Sequence, residues 1–395
     1  MRIAKWTSII VGSIVLLLVI TAFVMTSLID PNRYRGKVEA IVGDLAGRPL
    51  VIEGNLQLTW YPWLGMKTGP AHLDNPPGVL GPPIAEWGSV TVAAKLLPLL
   101  KGQVVVDRIR LQSPHIHLHR DAQGHGNWEN LGPRSPRPPA PQSSPPQIAG
   151  LEVTDGMLDY EDEMTGRHIT LSDLELGIGE WQPGKPLPIH TRFLAHSDSL
   201  PPNGVWVQAD APKLTLRRDP LNIELPQLSA RIADAQIKGS LVTDTLTDAG
   251  LATHGSITVN VPSVRKLAHD LALDQTLPHD PTTLGALALT SQWSYAGGAL
   301  SAKPLNLKLD GVTLEGWLQH SAPPRSAWDF ELHGDHIDLN RYVKTDSTNK
   351  KPFELPLEAL RAMNANGSLL FDQADIAATH LTDVRLKLQT PETKQ

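Results

Sequence analysis

The chain contains no cysteine. That excludes a disulfide framework, a thiol nucleophile and any cysteine-ligated zinc site, and it is compatible with oxidising and reducing compartments alike. Aromatic residues are scarce, at 5%, and charged residues make up 19% with a net charge of −6. An acidic balance argues against the phosphate-binding surface that nucleic acids select, so no nucleic-acid partner is expected. The signatures of common chemistry are missing too. There is no GxSxG, HExxH or P-loop, and no GxGxxG following a strand. No catalytic residue and no cofactor are therefore expected, and we read the chain as a non-enzyme. Helical patterns are few, whereas proline is abundant at 34 residues.

What is present begins with a long apolar run. Trp6 to Ile29 carries no charge. As a helix at about 1.5 Å per residue it would reach roughly 36 Å, enough for a hydrocarbon core of about 30 Å. A cleaved signal peptide would have a shorter apolar core and a small-x-small exit, and VMTSLIDPNRY offers a poor one. The segment reads as an uncleaved single-pass anchor. Its short N-terminal tail places the N-terminus in the cytoplasm. From Asp30 to Gly65 the pattern changes twice. Asp30 is an N-cap and Pro31 suits the first helical position. Tyr34, Val38, Ile41, Val42 and Leu45 then form one apolar stripe, and Gly47 ends the helix. Beyond it the period becomes two, with Leu50, Ile52, Leu56, Leu58 and Trp60 on one face.

This stretch, GRPLVIEGNLQLTWYPWLGMKTGPAHLDNPPG, resembles the N-terminal signature of the AsmA family of bacterial envelope proteins. LLPLLKGQVVVDRIRLQSPHIHLHRDAQGHGNWENL resembles the family's next block, ending in DxxGxxNW. The likeness extends over residues 1 to about 390 and is densest before residue 131. It implies an inner-membrane anchor with the body in the periplasm. The block PLEALRAMNANGSLLFDQADIAATHLTDVRLKLQ is similar to the start of the family's C-terminal portion, as in a short member or a piece of a longer protein.

Many short apolar–polar alternations separated by turn residues follow, as in an all-β meander. The strand near Val104 and Val106 changes phase to Ile109 and Leu111, which predicts a bulge or bend near Arg108. Two passages, GSITVNVPSVRKL and LHGDHIDLNRYV, repeat a strand, a polar turn and one or two helical turns. Ser263–Leu273 and Pro356–Met363 are the further short helices expected. The organisation expected is anchor 1–29, helix and β segment 30–131, Pro-rich linker 132–147, β-repeat segment 148–344, and C-terminal portion 345–395 beginning at the polar stretch TDSTNKK.

The fold class is thus mainly β with a few short helices. Apolar-in, polar-out strands line an open groove as readily as a packed core, and periodicity does not separate the two. AsmA-like proteins are similar to chorein-type lipid-transfer proteins, and that resemblance implies an elongated, curved antiparallel β-sheet groove of repeated hairpins. On it, Leu56, Leu58, Val104, Val106, Ile116 and Leu118 are expected to line a lipid groove near the membrane. The partners implied are membrane phospholipids, the inner membrane itself and envelope proteins. The function implied is transfer of phospholipid between the two envelope membranes, in outer-membrane biogenesis. The alternative is an assembly scaffold that binds polypeptide at a strand edge.

Three features stand apart from this scheme. His115, His117 and His119 share one strand face. They have the chemistry to bind a transition metal, but only His125 lies near them in sequence, so we read a polar outward face. Asp159, Glu161 and Glu163 share a face beside a hairpin turn. They lack EF-hand spacing and read as a solvated acidic turn. Trp60 reads as core or groove, and Trp63 as a membrane-interface contact.

Overall fold

The computed structural model of the protein describes residues 30–59, 64–94, 105–132, 147–182, 184–218, 221–247, 250–273, 277–278, 280–322, 327–342, 365–376 and 378–389. The expected anchor at 6–29, Trp60, Trp63, Val104 and the expected helix Pro356–Met363 lie outside the described residues. Among the described residues, no helix is long and apolar enough to cross a membrane. The chain forms two compact units, Met1–Trp181 and Gln182–Gln395.

In the first unit, Asp30 accepts from Asn32 N–H and caps a 3₁₀ turn, Pro31–Tyr34, that leads into helix α1, Arg35–Ala46. Gly47 ends the helix at φ 69°, the left-handed conformation a Cβ disfavours. The stripe expected on α1 is used in part. Val38 packs on the cluster Leu50, Ile52, Leu56 and Ala71. Ile41 and Leu45 remain 60% and 61% exposed. Glu39, adjacent to Val38 in the helix, accepts the backbone N–H of Ile52, fixing α1 by a polar contact as well as an apolar one.

The strands of this unit are β1 Leu50–Ile52, β2 Gln57–Thr59, β3 Leu64–Thr68, β4 Ala71–Leu73, β5 Ala85–Ala94, β6 Val105–Arg120, β7 Gln147–Ile148, β8 Leu151–Asp162 and β9 Arg167–Ile178. Short strands β1 and β2 reach the longer β5 through β4 and β3. Then β5 and β6 pair antiparallel, β6 and β8 parallel, and β8 and β9 antiparallel. The expected break near Arg108 is present as a register shift between Val92↔Ile109 and Ala94↔Val106. A second phase change falls at Ser113, and it does not end the strand. Ser113 has φ 48°, Asp155 φ 53° and Asp173 φ 50°. The β6–β8 register sets Ser113 level with Asp155, so neighbouring strands kink together. Met66 and Leu73, from the two sides of that line, pack on one apolar cluster.

The second unit contains β10 Leu187–Ser197, β11 Val205–Arg218, β12 Leu221–Ile232, β13 Ala235–Thr247, β14 Gly250–Val261, β15 Leu287–Ala296, β16 Ala299–Leu309, β17 Val312–His320, β18 Trp328–Asp338, β19 Ala365–Ile376 and β20 Thr379–Leu388. Consecutive strands pair antiparallel from β10 to β18, β18 and β19 pair parallel, and β19 and β20 pair antiparallel. A uniformly antiparallel run of hairpins was expected, and the parallel pairs correct it. Parallel neighbours need a long crossover. In the sequence the Pro-rich stretch 132–147 falls between β6 and β8 and the polar stretch 345–351 between β18 and β19, and residues 133–146 and 345–351 lie outside the described residues.

Both repeat-like passages end in a capped turn. Ser263 accepts from Lys266 N–H at the start of helix α2, Val264–Asp270, and Asp338 accepts from Asn340 N–H at the 3₁₀ turn Leu339–Arg341. They meet at residues 280–285. Arg265 donates to the Thr283 and Asp280 carbonyls, and Arg341 to the Thr282 carbonyl. Asp310, in the β16–β17 turn, accepts from Leu284 N–H, Gly285 N–H and the Tyr342 hydroxyl, each at 2.7 Å.

Candidate functional site: an apolar sheet face and a histidine–carboxylate ladder

Residues directly opposite on paired strands share a sheet face. In the second unit this rule builds apolar rows. Val259, Leu289, Leu307 and Leu314 stand in register across β14 to β17, and Val261, Leu287, Leu309 and Val312 form a parallel row. The reverse face carries Thr258, Thr290, Asn306 and Glu315 in the same order, with Asn306 donating to Glu315. The apolar row Val259–Leu314 is half-buried, not sealed. Three strand spacings of about 4.8 Å make it roughly 14 Å wide.

The first unit shows the same division. Ile116, Leu158 and Leu171 form one row, and Leu118, Tyr160 and Ile169 the next, and all six are half-buried. Of the residues expected to line a groove, Ile116 and Leu118 therefore lie on this half-covered face. Leu58 is half-buried opposite Met66. Leu56 is only 2% exposed, inside the cluster beneath α1. Val106 is placed by its backbone, paired with Ala94.

The opposite side of β6 holds the histidines, and here the fold joins two stretches that look unrelated in sequence. The parallel β6–β8 register sets His117 beside Asp159 and His119 beside Glu161, while β5 brings Glu86 opposite His115. His115 Nε2 lies 2.5 Å from Asp159 Oδ2, and Thr170 Oγ1 donates to the other oxygen of that carboxylate at 2.7 Å. His119 is 3.5 Å from Glu161 and 3.3 Å from Glu163. Imidazoles His115 and His117 are stacked with centroids 3.8 Å apart. Burial pushes the Asp159 carboxyl up. The hydrogen bonds from Thr170 and His115 outweigh it and hold the group below the usual carboxylate range. Burial, reinforced by the neighbouring His115, holds His117 below the usual histidine value. Glu86 was not singled out in the sequence. The alternation of acids on β8 was legible, but its adjacency to the histidines depends on a crossover pairing.

Comparison with known proteins follows the same N-terminal region. The sequence model of the AsmA family matches residues 1–193. These residues belong to the AsmA family. The chain is similar to the AsmA family protein YhjG of Escherichia coli (strain K12), 24% identical over 186 residues. That match covers 44% of this chain and 26% of the relative, so the chain spans about a quarter of the relative's length. No solved structure matches.

Proposed function

We propose that this chain is a membrane-anchored envelope protein that takes part in outer-membrane biogenesis by shielding phospholipid acyl chains on its apolar sheet faces while lipid passes between the inner and outer membranes. The observation that carries this reading is the half-buried state of the in-register row Val259, Leu289, Leu307 and Leu314. In a closed sandwich a second layer would seal such leucines. An acyl chain supplies the missing cover, each methylene taken out of water contributing about 0.8 kcal/mol. The polar reverse face suits contact with water in the periplasm. Family membership of residues 1–193 agrees with an envelope role. Segment 6–29 acts as the anchor, with the N-terminus in the cytoplasm and the body in the periplasm, and no catalytic step is involved.

The test is mass spectrometry of lipid extracts from the full chain purified in detergent. Phospholipid at a reproducible, near-integral ratio is expected. Recovery of captured polypeptide with no lipid above the detergent blank would overturn the reading in favour of an assembly scaffold. Resistance of the full chain to carbonate extraction checks the anchor, and a soluble mature chain starting near Asp30 would refute it.

A further inference from the structure

The polar face of the first unit holds three donors without a full set of partners. Glu86 Oε1 lies 3.6 Å from His115 Nδ1 and 3.7 Å from His117 Nε2. These distances are too long for hydrogen bonds. They are close to the separation of about 3.3 Å between two ligands on a tetrahedral ion with bonds of 2.0–2.1 Å. Among the described residues, Glu86, His115 and His117 form the group whose ligand atoms all lie within 4.8 Å of one another.

Two further observations point into the gap between them. His117 Nε2 is buried and makes no hydrogen bond, although a buried ring nitrogen normally finds a partner. His115 is held in the tautomer a ligand needs. Asp159, a carboxylate, only accepts, so a neutral His115 carries its proton on Nε2, which leaves Nδ1, on the side of Glu86, as the nitrogen that can coordinate. A carboxylate that orients the far nitrogen of a histidine, itself steadied here by Thr170, is the usual outer support of a metal-bound imidazole.

We propose that Glu86, His115 and His117 form a binding site for a zinc-class divalent transition-metal ion, with Glu86 Oε1, His115 Nδ1 and His117 Nε2 as three ligands and water as the fourth. Two imidazoles and one carboxylate suit zinc better than calcium or magnesium, which prefer all-oxygen shells. The Glu86 side chain is 49% exposed, which gives the ion an entry path and leaves the fourth position to solvent. Asp159 acts as a positioning residue. The site lies on the polar face and is independent of lipid binding on the other.

The test uses the full chain in detergent, stripped with a chelator and then titrated with Zn²⁺ by calorimetry and Co²⁺ by visible absorption. One-to-one binding is expected, with the ligand-field bands of a four- or five-coordinate Co²⁺ site. Glu86→Gln and His117→Gln should each weaken it by about 100-fold or more, since even outer-support changes cost about 10–100-fold. His119→Gln, outside the three donors, should leave the affinity within about twofold, as expected of a surface change that removes no ligand. Should His117→Gln fail to fold, the exposed Glu86→Gln carries the test alone. Absence of one-to-one binding in the unmodified chain, or affinity unchanged in either folded ligand variant, would overturn the proposal.

Discussion

Leu118→Asp and Leu56→Asp, two identical changes in one unit, separate a lipid-covered face from a packed core. Leu118 is half-buried beside Tyr160 on β8. Burying a leucine in full contributes about 1.5–3 kcal/mol, so a half-covered one contributes about 0.8–1.5 kcal/mol. An aspartate there keeps much of its hydration, and the loss should stop near that figure. For a unit of this size it lowers Tm by about 3–5 °C. Leu56 is 2% exposed among Leu50, Ile52, Ala71 and Val38. Its truncation alone would cost about 2–5 kcal/mol, and a buried acid adds several more. That sum is comparable to the whole stability of a domain, about 5–15 kcal/mol, so Leu56→Asp should abolish folding of the unit. Thermal melts of the full chain measure the first effect, and phospholipid retained per chain, by mass spectrometry, measures the second. Leu118→Asp should fold and lose most of its lipid. If it unfolds as Leu56→Asp does, the face is a sealed core. If it folds and keeps its full lipid load, this strand does not touch lipid.

Further outcomes follow from packing and electrostatics in the second unit. Tyr342→Phe removes one of three donors to Asp310 and should cost about 1.5 kcal/mol by thermal melt, the scale of a hydrogen bond to a charged group; no change would show that Asp310 is satisfied by Leu284 and Gly285 alone. Burial pushes the Asp310 carboxyl up, but the Tyr342 hydroxyl and two backbone N–H groups outweigh it and hold its pKa below the usual value. A depressed folded pKa gives stability that is present above the unfolded value, near 3.8, and lost as pH falls toward the folded one. Asp310→Asn should therefore flatten the acid limb of a stability–pH profile, and an unaltered limb would remove Asp310 from the set of responsible groups. Gly255→Ala would set a Cβ 1.8 Å from the Ser240 carbonyl oxygen, so a loss of about 1–3 kcal/mol is expected, and a neutral result in denaturant titration would show that β13 and β14 part easily.

Much of the architecture was legible along the chain. Alternation of period two marked the strands, because the requirement for one apolar face acts residue by residue. Asp30, Pro31 and Gly47 marked the limits of the first helical segment for equally local reasons: a side-chain cap, a missing N–H and a left-handed turn. Where the alternation slipped, local reading divided long strands. Taken locally, Val205–Ala209 and Lys213–Arg217 are two separate stretches, but both belong to one strand, β11. His168–Leu171 and Leu174–Ile178 likewise belong to β9, with Asp173 at φ 50° between them. A residue with positive φ, or one extra residue in a bulge, turns the side chains over without breaking the ladder. The sequence records only the change of phase.

Tertiary structure alone decided which strands are neighbours. Within a hairpin, adjacency follows from chain order. Across a crossover it does not, because the connection leaves the partner open. That is why His115–His119 and Asp159–Glu163 were each readable as a polar face, yet their union across the parallel β6–β8 pair was not, while Glu86 joins them through the register of β5 on β6. Burial was likewise beyond the pattern. Leu56 and Leu118 show the same apolar-in signature, yet Leu56 is core, in the cluster that α1 packs on, and Leu118 is a half-covered surface. Alternation records which side of a strand avoids water, and the fold determines how completely it succeeds.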